Sequence, residues 1–456
     1  MLITEPGDWK LGSAPPERDG SRIWVCPCGE TGDGATSYCQ RCGAPGPASM
    51  LGALLGTQAH AWATGQRPRS RRRRAHRVSA AVALALLVAA AVSAAASSRR
   101  GAHPRGEAMA EVTNPERWGP DPVLRRLAGY VEQARRLRFL RPVAVTWVDP
   151  ATMRTMGSGT LLDFADAAGQ MATLRALGLT RGAGQRSAAP DARAGDVVGL
   201  YDIATKQIYL RSDLAAGPYR GFVLVHELTH ALQDQHFDLG RPYGDSADAA
   251  RAAVSLVEGD AERVAESYLG TLTPHAMDTL EREALARRDE LYRGMYFQSA
   301  DVFPYSAGPA FVRALLERGG QSLLDAAFRS YPASTAQVVH PERYLRGDRP
   351  VPVPEPPADG AIVARGVLGE FDLSSVLLAG GLDIATATRA SEGWGGASYV
   401  TWLSKGRPCA RVRVVMDTAA ATTRLAAALQ RWTAARGGAA SLSGSAPLTL
   451  TACEHV

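Results

Sequence analysis

The stretch Gly221-Phe222-Val223-Leu224-Val225-His226-Glu227-Leu228-Thr229-His230-Ala231-Leu232-Gln233-Asp234-Gln235-His236-Phe237 decides how the rest of the chain is read. Phe222, Val223, Leu224, Val225, Leu228, Ala231 and Leu232 form an apolar set suited to a largely buried helix, and no Gly or Pro interrupts Phe222 to Phe237. On such a helix positions four apart stand one turn above each other, so the imidazoles of His226 and His230 face the same way. That is the geometry two zinc ligands need. Glu227, beside them, is close enough to take a proton from water at the metal without filling a coordination position. His236, ten residues beyond His226, points elsewhere and reads as structural.

A catalytic zinc needs a third protein ligand and an open fourth position. The run Asp248 to Leu269 reads as a second helix through Ala250, Ala253, Val254, Val257, Ala261, Val264, Ala265 and Tyr268, and Glu258 lies on or beside its apolar face. An unpaired carboxylate there is costly, and a metal explains it. Glu262, one turn on, is placed to hold a ligand imidazole through its other ring nitrogen.

These residues resemble the gluzincin branch of zinc metallopeptidases. His226, Glu227 and His230 match its first helix and Glu258 its third ligand. More narrowly, the chain resembles a poorly characterised group of prokaryotic membrane-anchored proteins over roughly residues 120 to 400, through Val257-Glu258-Gly259-Asp260-Ala261, Phe303-Pro304-Tyr305-Ser306-Ala307-Gly308, Pro332-Ala333-Ser334-Thr335-Ala336-Gln337 and His340-Pro341-Glu342-Arg343-Tyr344. The resemblance implies a metallopeptidase fold, not a substrate. It further implies a Tyr or His outside the zinc helix that donates to the oxyanion; Tyr305 is the first choice, with His340 and Tyr344 as others.

The chain has 456 residues and a formal net charge of +6. Seven arginines fall between Arg67 and Arg77, and without them the balance is 6 − 7 = −1. The basic character belongs to one local run, so no nucleic-acid partner is expected.

Four of the six cysteines, Cys26, Cys28, Cys39 and Cys42, form two close pairs joined by a Gly-rich loop. Four thiolates fit a closed tetrahedral zinc site, and a module this small needs the metal because it cannot build a core. The stretch resembles a zinc ribbon, and Trp24 before the first Cys is similar to the RanBP2-type finger; the single residue between Cys26 and Cys28 departs from that pattern. Directly after the arginine run, Val78 to Ser98 carries no charge, and its 21 residues make about 31 Å of helix, the thickness of a bilayer core. A cleaved leader of 77 residues would be far too long, so the span reads as an anchor. The arginine excess before it, against Arg99, Arg100 and Arg105 after it, predicts a cytoplasmic N-terminus. The ribbon then lies on the reducing side, ready for a cytoplasmic partner. Cys409 and Cys453 lie outside, where a disulfide persists.

The sequence divides into a tail (1–20), zinc ribbon (21–45), basic linker (46–77), transmembrane helix (78–98), linker (99–120), zincin-like metallopeptidase domain (121–350) and C-terminal α+β subdomain (360–456). The expected fold class is α+β. Further expected elements are helices at 121–140, 160–177, 277–296 and 309–318, a strand at 142–148, a hairpin at 197–211, a loop at 303–308 and a helix–strand–helix order after 366. The resemblance to zincins further implies a sheet edge beside the zinc helix that binds extended substrate by strand addition, here the hairpin or the strand at 142. Zinc on His226, His230 and Glu258 would activate water and polarise the peptide carbonyl, while Glu227 moves the proton to the leaving amine. The rival expectation is a non-catalytic envelope or signalling protein whose outer zinc only holds a fold.

Overall fold

The computed structural model describes residues 23–25, 31–33, 118, 121–156, 167–179, 197–287 and 299–454. The ribbon cysteines Cys26, Cys28, Cys39 and Cys42 and the span 78–98 lie outside them. Strands β1 (Ile23–Val25) and β2 (Thr31–Asp33) flank the first cysteine pair and are antiparallel, with Trp24 opposite Gly32. No helix among the described residues is long and apolar enough to cross a membrane.

From 121 to 287 the chain builds a three-stranded sheet and the helices that cover it. Asp121 caps α1 (Pro122–Arg135) by accepting the Val123 amide at 2.8 Å. The helix ends earlier than the expected 140. Arg136 takes a left-handed backbone (φ 53°), and the Glu132 carboxylate accepts the Phe139 amide at 2.8 Å, which turns Phe139 back against Trp118. Then come β3 (Val145–Val148), α2 (Pro150–Met156), α3 (Ala167–Ala176), β4 (Gly199–Asp202) and β5 (Gln207–Arg211). The sheet order is β3-β5-β4, parallel between β3 and β5 and antiparallel in the hairpin. Ile208 and Leu210 from β5 join Leu127, Val131, Val225, Leu228 and Val264 in one buried core.

Two long helices cross this core. The first, α4 (Pro218–Phe237), carries the His-Glu-x-x-His stretch, and the second, α5 (Ala247–Leu269), carries Glu258. Ser246 caps α5, and the helix is buried nearly all round because α4 lies on one side and α7 (Ser299–Arg329) on another. Between them α6 (Pro274–Ala286) covers α4.

The expected loop at 303–308 is helical. Pro304 and Pro309 both sit inside α7, so the helix expected from 309 begins ten residues earlier; its Phe311, Val312 and Leu315 pack with Leu256 and Val257 of α5. That apolar contact offsets the amide bonds the prolines remove. The break comes instead at Gly320 (φ 62°), as the Gly319-Gly320 pair indicates. Short helices α8 (Thr335–Val339) and α9 (Pro341–Arg346) follow.

The C-terminal part holds more strands than the expected helix–strand–helix. It contains β6 (Ile362–Gly366), α10 (Glu370–Ala379), α11 (Ile384–Ser391), β7 (Trp394–Ser404), β8 (Arg407–Met416), α12 (Ala419–Ala434), β9 (Ala440–Ser443) and β10 (Leu448–Cys453). The sheet order is β6-β7-β8-β10-β9, all antiparallel. Trp394, Val412, Leu425, Trp432 and Leu450 fill the core between sheet and helices, and Cys409 on β8 is bonded to Cys453 directly opposite on β10. Helix α3, from the middle of the sequence, also packs on this sheet through Leu177 and a 2.8 Å bond between the Thr173 and Thr401 hydroxyls. The molecule is thus mixed α+β.

Candidate metal centre

The i, i+4 spacing on α4 brings the His226 and His230 rings edge to face with centroids 4.6 Å apart. From α5, Glu258 enters the same space. His226 Nε2 and His230 Nε2 are 2.9 Å apart, and Glu258 Oε2 lies 3.2 Å from the first and 3.3 Å from the second. Ligand atoms about 2.0–2.1 Å from a tetrahedral zinc ion stand about 3.3 Å from one another. The three atoms therefore occupy one face of such a tetrahedron.

Ring tautomers sharpen the point. His230 Nδ1 faces the Gln233 carbonyl oxygen at 3.1 Å, and His226 Nδ1 faces Glu262 Oε2 at 3.4 Å. Both Nδ1 atoms thus have acceptors, which assigns each ring hydrogen to Nδ1 and turns both Nε2 lone pairs inward. Two lone pairs and a carboxylate converge with no hydrogen of their own between them; the neighbouring donor is the Tyr305 hydroxyl, which bonds Glu258. Such a group demands a cation.

Electrostatics gives the same answer. Burial pushes the Glu258 carboxyl up, yet the charges and hydrogen bonds of His230 and His226 hold it well below the usual carboxylate range. Burial also opposes protonation of His226, but Glu258 and Glu262 raise that ring well above its ordinary value. Either a proton or a metal ion meets this demand, and His226, His230 and Glu258 together can hold a metal ion. They are the only such group among the described residues.

Glu227 is buried beside the cluster, and its Oε2 accepts the Tyr201 amide of β4 at 2.7 Å. Burial raises its pKa, against the pull of His226 and His230. In the β4–β5 hairpin Arg211 donates to the Val198 carbonyl, so Gly199 and Tyr201 turn their amides to the outer edge of the sheet. The Glu227 carboxylate thus caps an edge amide. Gly199 leaves the room for it: a Cβ there would stand 2.5 Å from Val223 Cγ1 and 3.2 Å from Glu227 Cγ.

Tyr305 on α7 joins the cluster, its ring stacked toward His226 at 6.4 Å. The residue is 38 % exposed, while burial of its hydroxyl and then the Glu258 and Glu227 carboxylates push its pKa well above the tyrosine range. A backbone contact sets this position. Gly308, three residues on, crosses Gly259 of α5 so closely that a Cβ on either would stand 2.2 Å from the other helix's backbone.

His340 is not brought to the cluster. Its Nε2 lies 2.8 Å from Glu370 Oε1, linking the start of α9 to the start of α10. Tyr344 donates to the Ser330 carbonyl, and His236 bonds the Arg138 carbonyl, so both are structural. The sequence reading missed Gln233, which touches His230, and the Tyr201 amide, which holds Glu227. Gln233 was findable as a polar residue one turn beyond His230 on a buried face; a backbone donor leaves no trace in residue type.

Comparisons with protein-family models, with curated proteins and with solved structures find no match to this chain.

Proposed function

We propose that this chain is a membrane-anchored, zinc-dependent metallopeptidase with a zincin-like domain of the gluzincin type. The observation that carries the reading is the convergence of three ligand atoms, His226 Nε2, His230 Nε2 and Glu258 Oε2, with Glu227 beside them. Three protein ligands leave a tetrahedral ion one position for water, whereas a structural site is closed by a fourth. A purely structural site also has no use for a buried acid next to that position.

Zinc, when bound, would supply a Lewis acid and lower the pKa of a water to near neutrality. The chain's own residues do the rest. Glu227 is anchored through Oε2 by the Tyr201 amide, which leaves Oε1 to accept the water proton and deliver it to the leaving amine. Tyr305 donates its hydroxyl hydrogen to the oxyanion as the carbonyl becomes tetrahedral; its raised pKa keeps that hydrogen in place at neutral pH. The outer edge of β4, where the Gly199 amide faces away from β5 and the Tyr201 amide is taken by Glu227, receives an extended peptide as an added strand. Cys26, Cys28, Cys39 and Cys42 would hold a second, structural zinc on the cytoplasmic side of the span 78–98, with the peptidase part facing outward.

The decisive experiment is Glu227→Gln in the full-length protein, assayed against a peptide library with zinc measured in parallel. An amide keeps the shape but cannot accept the proton, so hydrolysis should fall at least about a hundredfold with zinc retained. Hydrolysis at the parental rate would remove Glu227 from the mechanism. Loss of zinc would instead mean that the ligands are wrongly assigned.

A further inference from the structure

His230 is held from behind by side chains outside the ligand set. Gln233 lies one turn on along α4, with Oε1 3.1 Å from His230 Nδ1. Its amide has one allowed orientation, because Nε2 donates to the Val257 carbonyl at 3.1 Å and to Asp260 Oδ2 at 2.9 Å, both on α5. The carbonyl end must then face the ring. Asp260 is fully buried, and its charge is met by Arg135 Nε from α1 at 2.7 Å and by Arg263 at 2.9 Å. Arg135 is itself fully buried and reaches on to Asp325 of α7 at 3.1 Å.

Buried charges of this kind are weak stabilisers, and apolar side chains of the same volume often serve as well or better. Fold stability is thus a poor reason for the arrangement. Its one uncommitted output is the acceptor aimed at His230. We infer that Gln233 and Asp260 are positioning residues that hold His230 as the Nδ1–H tautomer with Nε2 at the metal centre, while Arg135 supplies the buried countercharge. The inference rests on the metal-centre reading and adds to it a relay from α1 through α5 to one ligand.

The test is zinc affinity by chelator competition on the full-length protein. His226→Ala with His230→Ala gives the background from any other site. Gln233→Leu should weaken the remaining affinity about 10–100-fold, the range for loss of a partner behind a ligand. Gln233→Glu in its protonated form keeps a carbonyl oxygen toward His230 and an O–H donor toward Asp260, losing only the bond to the Val257 carbonyl, and should recover most of the loss. Gln233→Leu folded and binding at the parental affinity would overturn the inference. If Gln233→Leu does not fold, Gln233→Glu decides: near-parental affinity supports the relay, and a folded Gln233→Glu that binds about 10–100-fold more weakly overturns it. A parental protein that binds no more zinc than the double-alanine background would defeat the metal reading itself, a distinct result.

Discussion

At the residue scale, Tyr305 and His340 have their roles set by what stands opposite each ring. Both stood near motifs of similar quality, and only the crossing of α5 and α7 carries Tyr305 to within a ring stack of His226, while His340 pairs with Glu370. If Tyr305 serves the oxyanion, Tyr305→Phe should lower kcat about a hundredfold with little change in KM, measured on any cleaved peptide; an equal loss in 1/KM alone would assign it to substrate binding. A second residue gives a pH prediction. Asp248, in the first turn of α5, accepts the Thr335 amide and hydroxyl, and burial together with Asp372 pushes its carboxyl from 3.8 up to about 7. Between those values the folded protein holds a proton that the unfolded chain has lost. Stability from this group is therefore full below about pH 4, falls as pH rises through the window, and is gone above about pH 7. Asp248→Asn should flatten that slope by a few kcal/mol, on the order of 1.4 kcal/mol per unit, read from denaturant melts at pH 4.5 and 8. An unchanged slope would mean that Asp248 ionises normally in its burial.

At the element scale, the helix pair α4–α5 followed from apolar periodicity, and the hairpin β4–β5 from two short strand-like runs around a turn. The error at 303–308 has a physical origin. Proline predicts local disruption, but a helix needs only enough tertiary contact to offset the lost bonds, and the contact partner lies some fifty residues earlier in α5. The Gly259–Gly308 crossing is the point on which that contact turns. A methyl at Gly259 would stand 2.2 Å from the Gly308 carbonyl carbon, a backbone atom that cannot rotate away. Gly259→Ala should therefore force the helices apart at a cost of about 1–3 kcal/mol or more, seen as a lower denaturation midpoint. Because Glu258 is its neighbour in sequence and Tyr305 lies one turn from Gly308, zinc affinity should fall along with stability. A variant destabilised but binding zinc at the parental affinity would show that the crossing shapes the core alone.

At the scale of the whole molecule, the C-terminal sheet was the least legible part. Strand β10 and the second half of β8 alternate in burial, but β7 is buried along nearly its whole length at positions that are largely Gly, Ala, Ser or Thr, which carry a weak apolar signal, and β9 has only four residues. Cysteine placement was more informative than pattern there. Cys409 and Cys453 stand 44 residues apart in sequence and are bonded between β8 and β10, closing a loop that contains α12 and β9. In the chain-entropy account a loop of that length restricts the unfolded chain enough to contribute about 4 kcal/mol, and measured values centre on about 2–4 kcal/mol. Cys409→Ala with Cys453→Ala should lower stability by that amount under oxidising conditions, followed by tryptophan fluorescence, since Trp394, Trp402 and Trp432 all lie in this part of the fold. Adding reductant should bring the parental protein down to the level of the double variant and leave the variant where it is. The candidate ligands His226, His230 and Glu258 are carried by α4 and α5, not by this sheet, so zinc content should not change. A stability difference that survived full reduction would trace the loss to the packing of the buried Cys409 side chain rather than to the closed loop.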